Sequence, residues 1–248
     1  MISATNPEPE PASGRRMNVY IGTSGFAYPK WKGSFYPSDL PAKQMLQYYS
    51  ERFQAVEINS TFQRMPTVAI LGGWASDVPA DFKFVLKAPQ QITHWKRLKD
   101  VADPVAQFLE VAKTLKRRLG PLFFQLPPNF KKDLSRLRDV LALLPSRRPA
   151  AFEFRHPSWF DDEVFGLLRK HRAALCIADA EGDLKVPFVP TADWGYLRLR
   201  RLNYGKTQLQ VWSNRIQTQD WREVFVFFRH EDKGNGPRLA KRLLALLE

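Results

Sequence analysis

Eight short runs of apolar, β-branched and aromatic residues punctuate the chain: NVYIGTS (18–24), AVEINST (55–61), FKFVLKA (82–88), PLFFQLP (121–127), AAFEFRH (150–156), AALCIAD (173–179), GYLRLRR (195–201) and EVFVFFRH (223–230). Each has the length and composition of a buried strand. Longer amphipathic runs separate most of them. QMLQYYSERF, VAILGGWASDV, DPVAQFLEVAKTLKRRLG, DLSRLRDVLALLP and DDEVFGLLRKHRA follow the first five strands in turn, and GPRLAKRLLALLE closes the chain. The third of these reads as one helix, capped by Asp103, with Pro104 in its first turn and Gly120 at its end. Between strands six and seven, EGDLKVPFVPTADW carries two prolines and no helical period. The helix there is expected to be missing or replaced by a loop.

Strands alternating with helices imply a parallel sheet. At this length the expected architecture is α/β, a single TIM-type (β/α)8 barrel over residues 17–248. A Pro- and Glu-rich tail, residues 1–16, is expected to be disordered. An open doubly wound sheet is the competing architecture, but its signature is missing. The turn after strand one, GTSGFAYPKW, is not G-x-G-x-x-G, and no P-loop appears, so no cofactor is expected.

Composition narrows the setting. At 248 residues and 44% hydrophobic, the chain can bury a sizeable core. Cys176 is the single cysteine, which rules out an internal disulfide and suits a buried thiol in a reducing cytoplasm. No segment approaches the roughly 18 consecutive apolar residues of a membrane span, and the first residues lack the pattern of a signal peptide. A cytoplasmic protein without membrane association is expected. The formal net charge is +13, and the tail's Glu8 and Glu10 cancel Arg15 and Arg16, so the excess belongs to the folded body. Such a field favours an anionic small molecule or nucleic acid as partner. A charged surface with no specific partner is the alternative, and the oligomeric state is not legible.

Strand parity then places the polar residues, because alternate positions face a barrel's interior and chemistry gathers at the C-terminal strand ends. Glu57 and Asn59 are expected inside on strand two, Lys87 on strand three and Gln125 on strand four. Glu153 and Arg155 follow on strand five, and Arg198 and Arg200 on strand seven. Asp179 ends strand six, and Arg229 and His230 end strand eight. Unpaired charges in such a place cost several kcal/mol, so they are expected to pair with one another or with a ligand. A satisfied salt-bridge network of Glu57, Lys87, Glu153 and Arg155 that only shapes the barrel is the simpler alternative. The loops beyond add Tyr28, Lys30, Trp31, His94, Trp95, Lys96, Arg97, His156 and Trp159. Basic and aromatic residues together can grip phosphates and stack bases or sugars, although each aromatic alone reads more simply as a hydrophobic plug.

The blocks YIGTSGFAYPKW, FYPSDLP, VEINSTF, FKFVLKAPQQITH, LGPLFFQLPP and AFEFRHPSWF together resemble the YecE-like family, domain of unknown function 72. They run in order from Val19 to Asp179, with weaker similarity beyond. The resemblance implies a TIM-type barrel and no assigned activity. The polar positions it implies fall on Thr23, Ser24, Glu57, Asn59, Lys87, Thr93, His94, Gln125, Glu153, Arg155 and His156. Two strand ends depart from the family pattern. An RLHG-like end to strand seven is replaced by Arg198-Leu199-Arg200-Arg201, and a YFNND-like end to strand eight by Phe227-Phe228-Arg229-His230-Glu231. Both changes add positive charge and remove a His and an Asn pair.

Four functions fit these residues. The first is an enzyme acting by acid–base chemistry on a phosphorylated or otherwise anionic substrate. Glu57 or Glu153 would be the base, His156 or His94 the proton donor, and Lys87, Arg155, Arg198 and Arg200 the anion holders. The second is nucleic-acid binding, with or without phosphodiester cleavage. Four histidines without H-x-H or H-E-x-x-H spacing give no expectation of a metal site. Glycoside hydrolysis ranks lower, because strands four and seven end in Gln125 and Arg200 rather than carboxylates. A non-catalytic scaffold comes last.

Overall fold

A strand forms in or beside each of the eight apolar runs: β1 (Asn18–Thr23), β2 (Ala55–Ile58), β3 (Lys83–Lys87), β4 (Leu119–Gln125), β5 (Ala150–Glu153), β6 (Ala174–Asp179), β7 (Trp194–Leu199) and β8 (Glu223–Phe228). The structure is a computed structural model that describes residues 17–146, 149–229 and 233–247. The tail over 1–16 and His230 lie outside the described residues. The strands are parallel in the order β1-β8-β7-β6-β5-β4-β3-β2. A bridge between Ser24 and Glu57 brings β1 back to β2, so the sheet curls into a nearly closed, TIM-like barrel.

The ladders are uneven. Among the described residues, β5 and β6 pair only at Ala151–Ala174 and Phe152–Leu175, and β1 meets β2 at the single Ser24–Glu57 bridge. These two seams divide the barrel into a β2-to-β5 half and a β6-β7-β8-β1 half. Close approach at the β1–β2 seam depends on Gly22, where a Cβ would lie 2.0 Å from the Ala55 carbonyl oxygen.

The helices are α1 (Met45–Ser50), α2 (Ser60–Gln63), α3 (Val68–Ser76), α4 (Ala102–Ala112), α5 (Leu134–Leu143), α6 (Asp162–Lys170), α7 (Lys206–Gln217) and α8 (Asn235–Leu247). Side chains of Thr67, Asp133 and Asp161 cap α3, α5 and α6 by accepting from backbone N–H groups in the first turn. No helix forms between β6 and β7, as the two prolines foretold. Two expectations are corrected. The run over 103–120 is not one helix: α4 ends at Ala112, a 3-10 turn follows over Lys113–Arg118, and Gly120 belongs to β4. Asp103 sits inside the first turn, with Val101 at the cap. Glycine at 120 serves strand packing, since a Cβ there would stand 3.3 Å from the Phe84 carbonyl oxygen. The helix α7 was also missed. Leu209, Trp212, Ser213 and Ile216 bury one of its faces at helical spacing, within a run otherwise dominated by polar residues.

The core has two parts. Outside the strands, Ile21, Val56, Ile58, Phe84, Phe124 and Phe152 pack against the helices. Inside, Ala55, Ala151 and Ala174 leave room for Phe123, Tyr196, Trp194, Phe225 and Phe227. Phe123 and Tyr196 stack with ring centroids 5.1 Å apart, which makes a solid floor under the C-terminal mouth. Among the described residues, no helix is long and apolar enough to cross a membrane.

Candidate functional site

The inward positions at the C-terminal strand ends carry Glu57, Lys87, Gln125, Glu153 and Arg198, and they meet above the aromatic floor. Arg198 is the centre. Its Nη2 donates to Glu57 Oε1 at 2.8 Å and its Nη1 to Glu153 Oε2 at 2.6 Å. Its guanidinium lies 4.8 Å from the Phe123 ring centroid. All three charged residues are at most 2% exposed, so solvent hardly screens the pairs.

Each carboxylate has further donors. Glu57 accepts from Ser24 Oγ at 2.8 Å and from Asn59 Nδ2 at 3.3 Å on Oε1, and from the Tyr196 hydroxyl at 2.6 Å on Oε2. Glu153 accepts from Gln125 Nε2 and Arg155 Nε on Oε1, both at 2.8 Å. Burial alone would raise both carboxyls. Arg198, followed by Tyr196 and Ser24, holds Glu57 below the usual carboxylate range. Arg198 and Arg155 hold Glu153 well below it. Burial and the neighbouring Glu57 push the Tyr196 phenol far up, so it stays a donor. Neither carboxyl is kept protonated, as the acid of a glycosidase pair must be.

Lys87 differs from these. Its Nζ donates to Gln125 Oε1 at 2.9 Å and lies 4.0 Å from the Phe62 ring centroid. Among the described residues, no carboxylate reaches it at ion-pair distance. Burial, then the charge of Arg198, pushes the amine down to about 8, against the pull of Glu57 and Glu153. His94 stands nearby in a π-helical turn, Gln91–Trp95, its ring edge-on to Phe62 with centroids 4.8 Å apart. Burial, then Lys87 and Arg155, pushes its imidazole down to about 4, so it is neutral at pH 7. The His94 Nδ1 lies 2.9 Å from Thr93 Oγ1.

The other expected residues divide. Arg155, 35% exposed, leads from the mouth to solvent. Arg200 is the first residue past β7; burial, then Arg198, lowers its guanidinium. Thr23 turns outward and bonds the Tyr49 hydroxyl at 2.9 Å. Tyr28 donates to the Ser24 carbonyl at 2.8 Å. Trp31 is fully buried against Tyr28, Phe35 and Tyr36, as a plug rather than a ligand platform. His156 stays outside the glutamate cluster and accepts from the Ser158 N–H at the start of a 3-10 turn. Two residues were missed. Tyr196 shares the parity of Arg198 and could have been found that way. Phe62 reaches Lys87 from α2, and no strand pattern marks it.

An eight-stranded parallel α/β barrel with a polar cluster at its C-terminal strand ends places this chain among the TIM-like barrels. Residues 20–248 match the family described as "Protein of unknown function DUF72", and the chain belongs to it. It is similar to a DUF72 family protein of known structure from Thermotoga maritima MSB8, with 28% identity, TM-score 0.83, and 93% of this chain and 99% of that chain covered. A DUF72 family protein from Enterococcus faecalis V583 shares the fold at 18% identity and TM-score 0.77, covering 94% of this chain and 98% of that one. The UPF0759 protein YecE of Escherichia coli K12 is 32% identical over 143 residues, 57% of this chain, and the match spans half of that relative's length (50%). The UPF0759 protein YunF of Bacillus subtilis 168 is 24% identical over 93% of this chain and 95% of its own.

Proposed function

We propose that the barrel mouth binds a small anion, phosphorylated or carboxylated, between Lys87, Arg155 and Arg200, above the clasp of Arg198 with the two glutamates. The observation that carries this is the state of Lys87. Both buried carboxylates are already held by arginines, and this lysine is left with an amide oxygen and an aromatic ring. A buried cation without a counter-charge is unfavourable, and an incoming anion would relieve it. Any acid–base step then falls to Lys87 and the neutral His94. Glu57 and Glu153 serve as fixed charge, since their hydrogen bonds favour the ionised form.

Thermal unfolding with phosphate and pyrophosphate, against chloride at equal ionic strength, tests this. A saturable rise in Tm is expected, about 2.7 kcal/mol of added stability at a hundredfold excess over Kd. Lys87→Met is expected to weaken it at least tenfold, by the loss of about 1.4 kcal/mol or more from a charge-assisted contact. An unsaturable rise equal in both proteins would contradict the proposal. Nucleic acid is a second ligand class, favoured by Trp95, which is 69% exposed next to Lys96 and Arg97. A strand spanning several phosphates would show a steep fall of log K with log salt, whereas a small anion would not.

A further inference from the structure

We propose that Lys87 is a nucleophilic amine that condenses with the carbonyl group of a small anionic substrate, a 2-oxo acid or a phosphorylated aldehyde or ketone, to form a Schiff base; this rests on the anion-binding reading of the same mouth. The geometry supports it at four points. Lys87 ends β3 on the inward side, where barrels gather their chemistry, and is 8% exposed, within reach of a ligand yet largely dry. Gln125 Oε1 orients the amine with one hydrogen bond, and Phe62 covers one side at 4.0 Å. Burial, then the like charge of Arg198, favours release of the amine's proton against the pull of Glu57 and Glu153. No carboxylate among the described residues pins it as an ammonium.

Competing nucleophiles are less suited. The Cys176 thiol is fully buried and pushed far up by burial, then by Glu153. The hydroxyls of Ser24 and Tyr196 donate to Glu57. An amine pushed down to about 8 has roughly a tenth of its population neutral at pH 7.

The step balances without an oxidant. The Nζ lone pair bonds to the carbonyl carbon, and the C=O π pair moves to oxygen, which takes a proton. The nitrogen gives up a proton to form the carbinolamine. The hydroxyl is then protonated and leaves as water, giving the iminium. Overall, amine, carbonyl and one proton become iminium and one water. His94, neutral and close to Phe62 beside Lys87, is the group placed to take the nitrogen's proton and return it to the departing hydroxyl.

Glyoxylate, an aldehyde that carries its own carboxylate, with sodium cyanoborohydride tests the proposal on the full-length protein. Reduction converts each imine to a carboxymethyl-amine, located by peptide mapping. Limiting reagent at pH 7 is expected to label Lys87 at least ~tenfold faster than exposed lysines such as Lys113, with phosphate slowing that site selectively. Lys87→Arg, which keeps the charge, is expected to lose the dominant adduct; mapping of the unaltered protein needs no variant to fold. Labelling of Lys87 no faster than of exposed lysines would overturn the proposal. Phosphate binding measured in parallel then shows whether the anion-binding reading survives or falls with it.

Discussion

Arg198 spans two carboxylates with one guanidinium, and its removal would leave both buried without their shared counter-charge. Arg198→Met is expected to cost about 3–5 kcal/mol at pH 7 in denaturant unfolding, with the pH dependence inverted. In the native protein Glu57 and Glu153 have lowered pKa values, so their contribution is full above the ordinary glutamate range and is lost as pH falls through the folded values. In the variant, burial is no longer opposed by Arg198, so acidification from pH 7 to 5 is expected to restore stability. Lys87 gives the native protein the same sign in a higher pH window. Its folded value is pushed down to about 8 from 10.5, so between these the unfolded chain binds more protons and stability rises with pH. The charged groups acting on it are Arg198 on β7, Glu57 on β2, and Glu153 and Arg155 on and after β5, and its own charge acts on His94 in the π-helical turn. Relative to Lys87→Met, the native protein is expected to gain up to about 3 kcal/mol from pH 8 to 10.5. A pH-independent difference would contradict the assigned shift.

The polar cluster also joins elements that the ladders join weakly. Glu57 and Glu153 stand on the β2-to-β5 half, whereas Arg198, Tyr196 and Ser24 stand on the other half. The clasp therefore crosses the two seams where backbone pairing is short. Amide hydrogen exchange is expected to open first at β1–β2 and β5–β6, and Arg198→Met is expected to accelerate exchange there more than within β7–β8. Uniform acceleration would show that the clasp is not what closes the barrel. Gly22→Ala is expected to cost 1–3 kcal/mol or more, about the range for overpacking, because the added methyl collides with the Ala55 carbonyl oxygen and the Tyr49 hydroxyl. At this scale the sequence was informative where one periodicity ruled. The period of two set Glu57, Lys87, Gln125, Glu153 and Arg198 inward, because buried strands leave no other choice of face. Contacts between elements were not legible: the capping bond of His156, the bond of Thr23 on β1 to Tyr49 on α1 and the reach of Phe62 from α2 depend on where the chain folds back.

Across the whole molecule, a net charge of +13 supplies the field, and the barrel mouth supplies a place where it can be used. The eightfold alternation made the TIM-like barrel legible, and the prolines between β6 and β7 marked its missing helix. The helix α4 was read too long because Lys, Thr and Arg continue a helical composition after Ala112, while the backbone turns at Lys116, with φ 50. The ligand was not legible, since strand parity fixes where charges point and not what they hold. A crystal structure of the protein grown with phosphate tests the central claim most directly. Phosphate is expected in the mouth, within hydrogen-bond distance of Lys87 Nζ and Arg200. Phosphate bound only at exposed lysines and helix ends, with the mouth holding water alone, would contradict it.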